Sequence, residues 1–398
     1  MSSAQRRLIY RRRRRTVFAA AGCLLVVGGV LAWSLSHGGS ESERTMVAPL
    51  AIRRVTAGDC GPPSSLRDQV SELVMIGVDP ADPVAAAAML RANPHLGGVF
   101  VGGDSMAVLG DQAFRQAATD TGVLVAVDDE GGRVQRLDLV AGQLPSARTL
   151  AATLDAAAIS AAAEKRVGAM RQLGINVDFA PVVDVTTQAD DDVIGDRSFG
   201  SDPEAVTRNA GAFAMGLRKA NVLPVLKHFP GHGRSSGDSH DGAVLVPALD
   251  DLRRSDLVPF QRLTAEEPIA VMVGHLDVPG LTEDGLPSSL SPNTYRLLRE
   301  EIAFGGLTFT DDLAGMAAVG DRFSPPAAAE AAIGAGADVA LLSSTLDPTK
   351  TIDRLVEAVE LGRIRQIRVD AAWKRVVEMK VALGARSCPP TGGTSSGP

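Results

Sequence analysis

The sequence predicts a single α/β domain, a (β/α)8 barrel of the TIM type, and three observations carry that prediction. Eight short apolar runs recur between residues 61 and 386 of the 398-residue chain. Helix-like stretches separate most of them, and no linker-like segment interrupts the alternation. Strands apolar on both faces belong in a parallel sheet covered by helices, and eight of them can close into a barrel. An open doubly wound sheet is the competing arrangement. It is disfavoured because no nucleotide-binding glycine fingerprint follows the first run.

Taken in order, the runs are LVMIGV (73–78), GGVFVGG (97–103), VLVAVDDE (123–130), VDFAPVVDV (177–185), LPVLKHF (223–229), IAVMVGHLDV (269–278), GLTFTDD (306–312) and ADVALLSS (337–344). Among the stretches between them, 154–174 has Asp155 near its start and Gly174 past its end. The stretch 201–220 opens with Pro203 and Glu204, a helix-start pattern. Further helices are expected at 250–265, 291–303, 325–335 and 347–361. A last one, 370–384, should pack against the closed ring.

The ends of the chain differ from this body. Residues 1–15 hold seven arginines and no acid, so a chain of net charge −7 has a remainder near −14. An acidic body argues against nucleic acid as a partner. The next stretch, TVFAAAGCLLVVGGVLAWSLS (16–36), reads as a membrane anchor. About 20 residues at roughly 1.5 Å each span about 30 Å of hydrocarbon, and a basic flank is expected on the cytoplasmic side. A cleaved signal peptide is the alternative, and lipid modification of Cys23 is a third. Each places the body outside the cytoplasm. Residues 37–60 read as a tether, 61–386 as the folded domain, and 387–398 as a disordered Pro/Gly/Ser-rich tail. Cys60 and Cys388 flank the body, and an oxidising compartment permits a disulfide between them.

Chemistry in such barrels sits at the carboxyl ends of the strands. Five polar clusters fall there: Asp128-Asp129-Glu130, Asp184, Lys227-His228, His275 and Asp311-Asp312. Each is expected to point into one mouth. The segment KHFPGHGRSSGDSH (227–240) is the densest. His228 and His232 are four apart, as on a zinc-binding helix, but Pro230, Gly231 and Gly233 forbid that helix and no Glu lies where it is needed. A metal is therefore not expected. GRSSG (233–237) matches G-x-S-x-G, which has meaning only at a strand-to-helix turn; here it reads as loop. The glycines suggest a mobile loop carrying Asp238 and His240, close enough for the carboxylate to hold the imidazole as a general acid/base.

Four stretches together resemble the family 3 glycoside hydrolases, in particular their β-N-acetylglucosaminidase branch. They are KHFPGHG…DSH, VAVDDEGGRVQR (125–136), VIGDRSFG (193–200) and FTDDL (309–313), in the right order. The resemblance runs from about residue 65 to 385 and implies the same barrel. It implies Asp311 as nucleophile, His240 as general acid/base with Asp238 as its partner, and Asp128, Arg136, Arg197, Lys227 and His228 as sugar contacts. Asp311 is selected over its neighbour Asp312 by the resemblance alone. The implied activity is exo-acting retaining β-N-acetylhexosaminidase on cell-wall muropeptides, by a monomer with no metal or organic cofactor. A phosphorylase, a β-glucosidase and a non-catalytic glycan-binding protein are the alternatives. The sequence departs from the family pattern at Gly274 and at Ala314-Gly315-Met316, near the expected mouth.

Overall fold

The computed structural model describes residues 60–61, 65–283 and 285–388. The basic flank, the 16–36 segment, the tether short of Cys60 and the tail beyond Cys388 lie outside the described residues. Eight strands form one sheet: β1 (Val74–Gly77), β2 (Gly98–Phe100), β3 (Leu124–Val127), β4 (Val177–Asp178), β5 (Leu223–Phe229), β6 (Ala270–Val273), β7 (Thr308–Thr310) and β8 (Ala340–Leu342). Every residue of every one of these strands is buried. That explains why they read as continuous apolar runs rather than as alternating ones.

All neighbours pair in parallel, from β1 round to β7, with β8 on the far side of β1. The ring closes between β7 and β8. There Phe309 bridges Val339, with Thr310 N donating to Val339 O and Val339 N to Thr308 O, both at 3.0 Å. Aromatic rings fill the barrel interior, with Phe179 5.7 Å from Phe100 and 5.4 Å from Phe309 between centroids. β4 is short because Pro181 has no N–H for the ladder. Pairing resumes one residue later at Val182, opposite Lys227.

The outer helices follow their start signals. Asp155 caps the helix Ala156–Gln172, and Asp202 caps Pro203–Lys219. The expected 250–265 helix is two pieces, Leu249–Arg254 and Leu257–Leu263. The break falls at Asp256, whose buried carboxylate turns to Arg234 at 2.5 Å. The 291–303 stretch is Pro292–Arg296 running into a wider turn at Leu297–Glu301. Helices Pro83–Ala92 and Gln112–Thr121, after β1 and β2, were not among the expected ones. Asp82 and Asp111 cap them through side-chain bonds at 2.9 and 2.8 Å, a signal present in the sequence.

The ends of the body meet. The last helix, Gln366–Ala382, carries Lys380, which is 1% exposed, bonds Leu96 O at 2.8 Å and pairs with Glu72. Arg386 reaches the other Glu72 oxygen at 2.8 Å. Cys60 and Cys388 are joined in a disulfide, with Cα atoms 4.7 Å apart.

Candidate active site

A cavity of about 720 Å³ opens at the carboxyl ends of the strands. The five polar clusters do not all enter it. Asp128, Glu130, Lys227, His228, Asp311 and Asp312 line it, whereas Asp129, Asp184 and His275 lie behind the wall and hold others in place.

Strand alternation accounts for the first cluster. Asp128 and Glu130 share a face, and Asp129 points the other way. Asp129 is fully buried against Arg166, and its Oδ1 accepts the backbone N–H groups of Arg136 (2.8 Å) and Leu137 (3.2 Å). It thereby sets the loop that delivers Arg136 to the cavity. The Arg136 Nε is buried without a partner among the described residues. Behind it, burial and the Asp129 charge push the Asp178 carboxyl well above its ordinary range.

Glu130, which the sequence reading left unassigned, is a hub. Arg197 binds it through two bonds of 2.8 Å, and Lys227 reaches it at 2.7 Å. Lys227 also meets Asp128 at 2.6 Å. Burial acts to raise the Glu130 carboxyl, but Arg197 and Lys227 outweigh it and hold the group well below its usual range. Arg197 ends a tight turn, Gly195–Arg197. That loop is fixed from beneath by Arg133, on the carbonyls of Val193 and Ile194, and by Arg148, on those of Gln188 and Gly195.

Lys227 and His228 are adjacent, so a regular strand would aim them oppositely. Both line the cavity because the β5–β6 register shifts between Leu226 and Phe229, and such an irregularity re-aims side chains. Asp184, fully buried, fixes the histidine. It accepts His228 N at 3.2 Å, contacts His228 Nδ1 at 2.7 Å and accepts His232 N at 2.8 Å. That leaves His228 Nε2 for the cavity.

The loop beyond is anchored rather than loose at its base. A Cβ on Gly231 would lie 2.5 Å from Asp256 Cβ, and one on Gly233 would lie 2.2 Å from Val185 O. These glycines serve close packing, in contrast to the expected mobile loop. Gly237 alone of the three has open space around it. GRSSG is not a strand-to-helix turn: Ser236 exchanges bonds with Leu245, its N donating to Leu245 O at 2.8 Å and its Oγ accepting Leu245 N at 3.1 Å. Further on, Ser239 is buried, and its carbonyl accepts Ala318 N at 3.1 Å from the β7 side.

Asp238 and His240 meet as expected from their spacing, Oδ1 to Nδ1 at 2.7 Å. The His240 side chain is 66% exposed, and its Nε2 is left for a ligand. The hydrogen bond to His240 draws the Asp238 carboxyl down to about 2. The same bond raises His240 above its ordinary value against the effect of burial, and the Asp311 charge adds to the rise.

Geometry separates Asp311 from Asp312 without any family argument. Asp312 Oδ1 accepts Ala314 N (3.0 Å) and Ser343 N (2.7 Å), while its Oδ2 accepts Gly315 N (2.8 Å) and Ser343 Oγ (2.5 Å). It is spent on holding the loop, which also accounts for Gly315: a Cβ there would lie 2.6 Å from Asp312 Oδ2. Asp311 accepts one bond, from Asp312 N at 2.9 Å. Burial acts to raise its carboxyl, but His275, His228 and the Asp312 amide prevail and lower it, so it is anionic near neutral pH. His275 is 1% exposed and sits behind the pair; its Nε2 donates to Asp312 O at 2.9 Å, and Ser289 Oγ meets its Nδ1 at 2.7 Å.

A largely uncommitted carboxylate, a carboxylate–histidine pair and a buried cluster of cations and carboxylates thus share one cavity. The model of the glycosyl hydrolase family 3 N-terminal domain matches residues 65–379. The chain belongs to glycoside hydrolase family 3. Among its relatives, β-hexosaminidase LpqI of Mycobacterium tuberculosis is 46% identical over 90% of this chain and 96% of that protein. The solved LpqI structure superposes with a TM-score of 0.77, at 47% identity, over 81% of this chain and 97% of that one. A family 3 β-N-acetylglucosaminidase from Paenibacillus superposes at 0.75, with 31% identity, over 84% of this chain and 65% of that one.

As a family 3 enzyme, the chain is a glycoside hydrolase, and the Asp238–His240 contact makes a prediction for its pH dependence. Asp238 favours the imidazolium, so Asp238→Asn should lower the His240 pKa. If His240 serves as a general acid, the alkaline limb of kcat/KM should then move to lower pH, because the protonated ring is lost earlier. An alkaline limb unchanged in the variant would separate Asp238 from this role.

Proposed function

We propose that the protein is an exo-acting retaining β-N-acetylhexosaminidase that removes terminal N-acetylglucosamine from cell-wall muropeptides outside the cytoplasmic membrane. The observation that carries the reading is the pairing of Asp311, whose carboxylate is largely uncommitted, with a neighbouring His240 held through Nδ1 by Asp238. The muropeptide assignment rests on the apolar 16–36 segment, which reads as an anchor or export signal, together with the β-hexosaminidase relatives.

In the first step the Asp311 carboxylate attacks the anomeric carbon. The bond to the leaving oxygen breaks, and the His240 imidazolium gives that oxygen its proton from Nε2. A glycosyl ester on Asp311 results. In the second step neutral His240 takes a proton from water, the water oxygen attacks the anomeric carbon, and Asp311 leaves as carboxylate. Histidine thus fills the place that a second carboxylate takes in most retaining glycosidases. Asp128, Lys227, Arg197, Arg136 and His228 bind the sugar by charge-assisted bonds. Glu130 compensates the cations, so that they can be buried without repelling one another.

The test is release of the aryl group from β-N-acetylglucosaminide and β-glucoside, alongside release of N-acetylglucosamine from muropeptides. Cleavage of the acetamido substrates with little action on the glucoside is expected. Faster glucoside cleavage would overturn the specificity, and release that requires phosphate in place of water would make the enzyme a phosphorylase.

A further inference from the structure

Four histidines gather around the cavity, and three are committed to the protein. His228 is tied to Asp184, His240 to Asp238, and His275 to both Ser289 and Asp312. His232 differs. It is 3% exposed and lines the cavity, yet its Nδ1 is buried without a partner. Nor does any side chain among the described residues bond its Nε2. The ring also meets the His228 ring edge-on, at 5.6 Å between centroids.

The backbone that carries this ring is tightly fixed. Asp184 accepts His232 N at 2.8 Å, Thr186 Oγ1 bonds the carbonyl of the next residue, and Gly233 leaves no room against Val185. An ordinary packing position would be filled by an apolar ring at lower cost, since a buried polar group without a partner costs on the order of 1–3 kcal/mol. A rigid, uncommitted imidazole in a cavity wall is what a ligand contact requires. The charges of Asp184 and Asp311 act on it, and it in turn acts on Asp238. Burial and the His228 charge lower it to about 4, so the ring is neutral at working pH and offers one N–H and one lone pair.

The geometry points to His232 as a substrate-contact residue, whose ring hydrogen-bonds an uncharged hydroxyl or amide group of the bound sugar. This rests on the reading of the cavity as an N-acetylhexosaminide site and adds to the cationic cradle a neutral contact that can both donate and accept. A neutral group suits sugar substituents that carry no charge, and it leaves the Asp311 carboxylate unmasked.

The test uses the full-length protein, with N-acetylglucosamine as the probe. His232→Phe keeps the ring and removes the nitrogens; it should raise the dissociation constant and KM on the order of tenfold to a hundredfold. His232→Asn, which restores a donor and an acceptor, should recover part of that loss. In the wild type the His232 ring-nitrogen resonances should move as N-acetylglucosamine saturates the site, a readout that needs no variant to fold. A His232→Phe enzyme within twofold of wild type in both constants would overturn the inference. So would ring resonances that stay still in a saturated wild type. A wild type that neither binds nor cleaves any N-acetylglucosaminide would instead overturn the function on which the inference rests.

Discussion

Asp311→Asn is expected to lower kcat/KM by on the order of 10⁴-fold or more, about 5.5 kcal/mol of transition-state stabilisation. It should leave the unfolding midpoint near that of the wild type. The carboxylate accepts one protein hydrogen bond, from Asp312 N at 2.9 Å, and an amide oxygen can accept the same bond. What the amide lacks is the charge that, in the proposed mechanism, attacks the anomeric carbon. Asp312→Asn should behave in the opposite sense. All four of its bonds are accepted from donors, on Ala314, Gly315 and Ser343. An NH₂ group would face N–H or O–H on one side, so stability should fall by about 1–3 kcal/mol. Activity should fall with it, through the displaced loop. Steady-state kinetics beside chemical unfolding separates the two cases.

Asp338→Ala should show the converse pattern, a large loss of stability without loss of chemistry. Asp338 lies just before β8, at the end of the barrel away from the cavity. It is fully buried and pairs with Arg299 at 2.7 Å, Arg368 at 2.9 Å and Arg375 at 3.1 Å, while Thr308 N donates to it at 3.0 Å. Removing the one carboxylate leaves three clustered guanidinium groups without compensation. Breaking a buried pair of this kind costs about 3–5 kcal/mol. Urea unfolding should record that loss, while kcat of the folded enzyme stays within about twofold, since nothing in the cavity touches Asp338. A wild-type unfolding curve for Asp338→Ala would show that the cluster does not hold the ring closed at β7–β8.

The barrel was legible because burial on both faces leaves a plain mark. All eight expected runs contain the eight strands, and the (β/α)8 expectation stands. What the sequence hid was direction. Asp128-Asp129-Glu130 looked like one cluster facing a mouth, yet period-two alternation puts Asp129 behind it, and that rule was available from the sequence. Lys227 and His228 break the same rule through a shift in register that no local pattern announced. Asp184 and His275 stood at strand ends like catalytic groups, but their partners come from other strands, His228 for Asp184 and Asp312 for His275. Glu130 went unassigned for the same reason: its value lies in Arg197 and Lys227, 67 and 97 positions further along the chain. Helices Pro83–Ala92 and Gln112–Thr121 went unassigned although Asp82 and Asp111 mark their starts.

The central claim is that Asp311 forms a covalent bond to the sugar while His240 moves the proton. It is tested most directly by mass spectrometry of the enzyme after reaction with a 5-fluoro-N-acetylglucosaminyl fluoride, a donor whose glycosyl ester hydrolyses slowly. One 5-fluoro-N-acetylglucosaminyl group should appear on the peptide FTDDL, on Asp311, with the anomeric fluoride released, and be absent from Asp311→Asn. A label on Asp312 or on any other residue, or turnover of the donor with no covalent species and inversion at the anomeric carbon, would contradict it.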